Sequence, residues 1–142
     1  MPRPLVTAIS VVSVDLPLQR PIVSAVGQYA KWPFIITEIT LDNGTSGNSY
    51  ICPYLVHYTK PIEGVILELF KLFENKPLAP NKFYETGIRQ LSLLGRSGIA
   101  MYALAALDIA FWDASAKDAD LPLCEHLGGS IADVKAYNSG GL

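Results

Sequence analysis

Charge, histidine and cysteine are all scarce in this chain, and each shortage removes a class of function. Only 17% of its 142 residues are charged, with 11 Lys and Arg against 13 Asp and Glu and a formal net charge of -2. No run of basic residues occurs, so the electrostatic footprint of a nucleic-acid or anionic-membrane binder is missing and neither partner is expected. The two histidines, His57 and His126, lie far apart, and Cys124-Glu125-His126 is too compact for a metal-ligand set. Cys52 and Cys124 lack metal-type or redox-type spacing, which predicts two buried thiols acting as small hydrophobes rather than a disulfide. A phosphate-binding glycine loop, a strand-elbow serine and a His-Glu-x-x-His pair are likewise absent. The opening Met1-Pro2-Arg3-Pro4 lacks the apolar stretch of a secretory leader, and the run from Gly98 to Leu107 is too short to span a bilayer before Asp108 interrupts it. A soluble, cytoplasmic protein is expected.

What remains is a chain rich enough in apolar residues, at 50%, to bury the core of one domain. Leu5 to Leu16 is dense in Val and Ile with partial alternation, a strand signal that Pro17 ends. Gln19 to Pro33 has no sustained period and reads as a long loop, functional or mobile. Phe34 to Leu41 and Gly47 to Cys52 flank Asp42-Asn43-Gly44-Thr45, a hairpin signal that outweighs the glycosylation sequon at Asn43.

Helices follow Tyr58. Thr59 is placed as a cap and Pro61 in the first turn, while Ile62, Val65, Ile66, Leu69, Phe70 and Phe73 recur at three and four with Glu63, Glu68 and Lys71 opposite. Pro77 and Pro80 break the chain, Asn81 offers the next cap, and a second helix is expected from Lys82 to Leu94. A third begins near Ser97 or Gly98. Strands first and helices second define an α+β fold: a three-stranded antiparallel meander followed by a helical bundle.

The third helix carries Leu104, Leu107, Ile109, Ala110, Phe111 and Trp112 around most of its circumference, so it is expected to be packed on several sides. Asp108 and Asp113 interrupt that coat. Each needs a partner, with Lys117 available to Asp113 one turn on, and a spacing of five puts them about 140° apart, too divergent for one carboxylate pair. Leu121-Pro122 stops the helix, and Gly128-Gly129 is expected to close the following turn with positive backbone angles.

The block from Ala103 to Gly129 resembles the end of the N-terminal capping domain of the enolase superfamily, in its mandelate racemase and muconate-lactonizing branch. Val14-Asp15-Leu16-Pro17-Leu18 resembles the end of that family's first strand, Pro77-Leu78-Ala79-Pro80 its inter-helix loop, and Val134 to Ser139 the entry into its barrel. The resemblance divides the chain into a capping domain, 1–133, and the first strand of an otherwise missing (β/α)7β barrel, 134–142. It implies that the barrel holds Mg²⁺ on three acidic residues and carries a Lys or His base, that a proton alpha to a carboxylate is removed, and that racemisation or dehydration of a hydroxy acid follows. No catalytic or metal residue is then expected in this chain, which alone should be inactive. Its implied partners are a small carboxylate substrate, its own barrel and, at full length, further copies of itself.

By the same resemblance Ile22, Ser24, Val26 and Tyr29 fall on the mobile capping loop, Tyr54 on a second loop facing the barrel mouth, and Asn138 and Ser139 at the end of the first barrel strand. All seven are expected to touch substrate. The mandelate racemase branch carries Tyr-Asp-Ser-His where this chain has Tyr137-Asn138-Ser139-Gly140, so an acid and an imidazole are missing. Two rival readings are a non-catalytic α+β interaction or oligomerisation domain, and a small lyase or binding protein working through Ser139 or His57.

Overall fold

Valine, isoleucine and threonine dominate the first fifty residues, and in the computed structural model, which describes residues 3–138, they build long antiparallel strands. These are β1 (Leu5–Ser24), β2 (Gly27–Leu41) and β3 (Ser46–Ile51), joined at the far edge by the two-residue β4 (Lys76–Pro77). The sheet order is β3-β2-β1-β4. Gly44, at φ +85°, turns β2 into β3 where Asn-Gly marked a hairpin. The fourth strand, pairing Lys76 and Pro77 with Val6 and Leu5, lies where an inter-helix loop was expected.

The expected loop from Gln19 to Pro33 is instead the outer half of a β-ribbon. Pro17 pairs with Lys31, Pro33 with Asp15, and Ser24 with Gly27 across a two-residue tip, Ala25-Val26. Proline is tolerated because β4 borders β1 only at Leu5 and Val6, and β3 borders β2 only from Ile35 to Thr40. Beyond those points each strand has a free edge, where a missing N–H costs no ladder bond. Pro21 falls in a bulge, between the pairs Pro17–Lys31 and Ile22–Tyr29.

Three helices cover one face of the sheet: α1 (Thr59–Phe70), α2 (Pro80–Gln90) and α3 (Ile99–Asp118), with a single turn, α4 (Leu123–His126), beyond them. Neither expected cap acts as one. Thr59 Oγ1 donates to the Val56 carbonyl at 2.9 Å, tying α1 to the 3-10 turn before it, and α2 begins on Pro80, whose missing N–H is harmless at a first helical position. Ile62, Ile66, Leu69, Phe70 and Phe73 are buried as their spacing predicts, and Val65 packs against them half-buried. Glu63, assigned to the solvent face, is buried too. It accepts hydrogen bonds from Ser13 of β1 and from Lys60, so a polar tie crosses from helix to strand.

α3 is long and apolar enough to cross a membrane by length and composition, yet here it is the core helix. Ala103, Ala106, Ala110 and Ala114 are fully buried, and these small side chains let it lie close to β3. Phe111 stacks on Phe83 at 4.4 Å, and Phe73 meets both edge-on. Its two acids fare differently. Asp113 accepts from Lys117 Nζ and from the Asn48 backbone N–H, each at 2.7 Å, which ties α3 to β3. Asp108 Oδ1 is buried with no hydrogen-bond partner among the described residues, contrary to expectation, and burial raises its pKa above 3.8.

Gly128 alone of the closing pair takes a positive φ, +87°. Gly129 is needed for room, since a Cβ there would stand 2.9 Å from the Cys124 carbonyl oxygen. Cys124 is exposed on α4 and Cys52 half-buried, so only the latter approaches the expected burial. Val134 to Tyr137 forms no ladder with any described strand, and Val134 and Tyr137 are exposed.

Candidate functional site

The ribbon and the segment after β3 meet in a cleft of about 370 Å³. β1 supplies Ile22 and Ser24, β2 supplies Tyr29 and Trp32, and the turn following β3 supplies Pro53, Tyr54 and Leu55. That turn is tight: the Leu55 N–H donates to the Pro53 carbonyl at 2.7 Å, which forces Tyr54 to φ +62°. A bulky residue in the left-handed region is strained, and such strain persists where the surroundings impose it. Part of the imposition is aromatic. Trp32 stands perpendicular to Tyr54 at 5.2 Å and to Tyr29 at 6.5 Å, bridging the ribbon and the turn.

Four of the expected substrate-facing residues, Ile22, Ser24, Tyr29 and Tyr54, therefore share one cleft. Val26 does not line it. It sits 88% exposed at the ribbon tip, its N–H donating to Ser24 Oγ at 3.2 Å. Asn138 is exposed and away from the cleft lining, and Ser139 lies outside the described residues. Trp32 is the residue that sequence reasoning missed. Its signal was the alternation Trp32, Phe34, Ile36 on the sheet's outer face, hidden because Pro33 appeared to close a loop. That row continues into a shallow apolar depression of about 600 Å³ bounded by Val14, Leu16, Phe34, Ile36 and Tyr50.

The chemistry available to this cleft is positioning and water exclusion. No charged side chain lines it, and the one non-aromatic hydroxyl, Ser24 Oγ, is occupied by the Val26 N–H and the Gly27 carbonyl. His57 is exposed and outside it. His126 Nε2 lies 2.9 Å from Ser115 Oγ and its ring meets Trp112 edge-on, a contact that seats α4 against α3. Among the described residues no three His, Cys, Asp or Glu side chains gather to hold a metal ion.

A sheet with helices on one face, a projecting ribbon and an uncharged cleft define an α+β domain of the enolase N-terminal type. Residues 6–128 match the sequence profile of the mandelate racemase / muconate lactonizing enzyme N-terminal domain, and the chain belongs to that family. It is 30% identical to the L-talarate/galactarate dehydratase of Salmonella typhimurium, over 97% of this chain and 33% of that enzyme. It is 34% identical to the arabinonate dehydratase of Saccharolobus solfataricus, over 75% and 29%. Among solved structures, an enolase from the alpha-proteobacterium BAL199 with bound Mg superposes at a TM-score of 0.91 with 34% identity, covering 98% of this chain and 38% of that one. A Bradyrhizobium enolase complexed with magnesium and mandelic acid gives 0.83 and 31%, covering 92% and 36%. The chain thus spans about a third of the length of the curated relatives it matches.

Proposed function

We propose that this chain is the capping portion of a Mg²⁺-dependent enzyme that removes a proton alpha to a carboxylate and then racemises or dehydrates a hydroxy acid. One observation carries the reading. The family match fills residues 6–128, yet the described residues hold no metal cluster, while relatives about three times as long include Mg-bound structures and dehydratases. The described residues do not fit Mg²⁺, so metal and base belong to the barrel that the remaining length would form. The chain's own contribution is to close over the site. Ile22, Ser24, Tyr29 and Tyr54 face the substrate from the cleft, Val26 from the ribbon tip, and Asn138 and Ser139 from the first barrel strand. Removing water from such a site strengthens every electrostatic interaction inside it.

A fusion in which this chain replaces the N-terminal third of the Salmonella typhimurium dehydratase tests the reading, assayed with Mg²⁺ over a panel of small carboxylates. The chain alone is expected to turn over nothing, and the fusion to be active with a changed substrate preference. Turnover by the chain alone, or an active fusion with the parent's preference, would overturn it.

The outer sheet face favours a second reading, that of an interaction or oligomerisation domain, because Val12, Ile36 and Tyr50 are 52%, 44% and 68% exposed there. Sedimentation of the isolated chain separates the two: a monomer at all concentrations removes the second.

A further inference from the structure

We infer that Trp32 sets the substrate specificity of this cleft, making it a receptor for a planar aromatic substituent on the carboxylate rather than for a polyhydroxylated chain. The inference rests on reading the cleft as the substrate-facing lid. Its walls are aromatic or aliphatic: Ile22, Tyr29, Trp32, Tyr54 and Leu55. The Trp32 ring stands near perpendicular to both tyrosines, at 89° and 82°, the edge-to-face arrangement that a further ring can extend. A sugar acid meets the opposite conditions. Each hydroxyl it buried would need a partner, but Ser24 Oγ is already spent on Val26 and Gly27, leaving the two tyrosine hydroxyls. A second carboxylate, as in an aldarate, would find no Lys, Arg or His among the lining residues. Trp32 also couples the two segments that must close together, because its ring touches Tyr29 of the ribbon and Tyr54 of the turn.

The test needs only the 142-residue chain. Phenylacetate and galactarate are titrated in turn at millimolar concentration, and ligand-observed NMR reports binding. Phenylacetate is expected to bind saturably and at least about tenfold more tightly than galactarate, the ratio expected from burying one ring against an uncharged wall. Trp32→Ala should erase that preference while Trp32→Phe retains most of it, with cooperative melting confirming that each variant is folded. If Trp32→Ala does not fold, Tyr54→Ala takes its place with the same expected loss of preference. Galactarate binding as tightly as phenylacetate, no saturable phenylacetate binding, or a preference unchanged in the folded variants would overturn the inference. Those outcomes leave the turnover of the barrel fusion untouched, so failure here is distinguishable from failure of the capping assignment.

Discussion

Gly47 of β3 and Ala110 of α3 meet with no side chain between them: a Cβ on Gly47 would stand 2.1 Å from the Ala110 carbonyl oxygen and 2.6 Å from the Cβ of Ala114. Both obstacles belong to the core helix, and one is backbone. Neither can swing aside as the tip of a long side chain would. Gly47→Ala must therefore push α3 off the sheet, and a loss of about 3 kcal/mol or more is expected in urea denaturation. Gly87→Ala is the control. Its nearest obstacle is Leu104 Cδ1 at 2.4 Å, the end of a flexible side chain, so its loss should be smaller.

A second tie between the same elements is polar. Asp113 accepts from the Asn48 backbone N–H and from Lys117 Nζ, and its side chain is 29% exposed against 47% for Lys117. Asp113→Ala leaves the Asn48 donor without its carboxylate, and about 1–3 kcal/mol of stability should be lost. Lys117→Ala removes only a half-exposed ion pair at i, i+4, for which about 0.5 kcal/mol or less is expected. Equal losses in the two variants would mean that the ion pair, and not the helix-to-strand bond, supplies the stability.

Asp108 gives the chain a pH dependence of unusual sign for an acid. Burial raises its pKa in the folded chain above the ordinary 3.8, so between those two values the folded state binds more protons than the unfolded. Its ionisation therefore costs stability above the folded pKa, and that cost is relieved as pH falls through the folded pKa towards 3.8. Asp108→Asn removes the term. At neutral pH the variant should melt about 2 °C above the parent, and the gap should close as the pH is lowered towards about 4. A gap that widened on acidification would mean that Asp108 is ionised and stabilising in the folded chain.

The parts of the fold legible in sequence are those fixed by short-range rules. Asn43-Gly44 marked its hairpin because only a left-handed residue closes it, and the three-four spacing from Ile62 to Phe73 marked the buried side of α1. The ribbon from Pro17 to Pro33 was not legible, since whether a proline breaks a strand depends on a neighbour that the local sequence does not specify. The same holds for Gly47, whose role is set by a helix more than fifty residues away. In the cleft, Ile22, Ser24, Tyr29 and Tyr54 could be placed on two loops by resemblance. Trp32 could not, because its position follows from strand register and from the ring contacts that register creates.

Tyr54 separates stability from function. Its φ of +62° is unfavourable for a residue with a Cβ by about 1–2 kcal/mol, while its ring contact with Trp32 returns about 0.5–1.5 kcal/mol. Tyr54→Gly removes both terms and adds the backbone entropy that glycine loses on folding, about 0.5–1 kcal/mol. The sum is close to zero, so the variant should unfold within about 1 kcal/mol of the parent. Phenylacetate binding should nevertheless fall, because one wall of the cleft is gone and Trp32 no longer holds the turn against the ribbon. A residue that strains its backbone for no net stability, and whose removal empties a cleft, is retained for what the cleft holds. A Tyr54→Gly variant that lost several kcal/mol of stability would assign Tyr54 to the core instead, and one that bound phenylacetate undiminished would remove it from the lid.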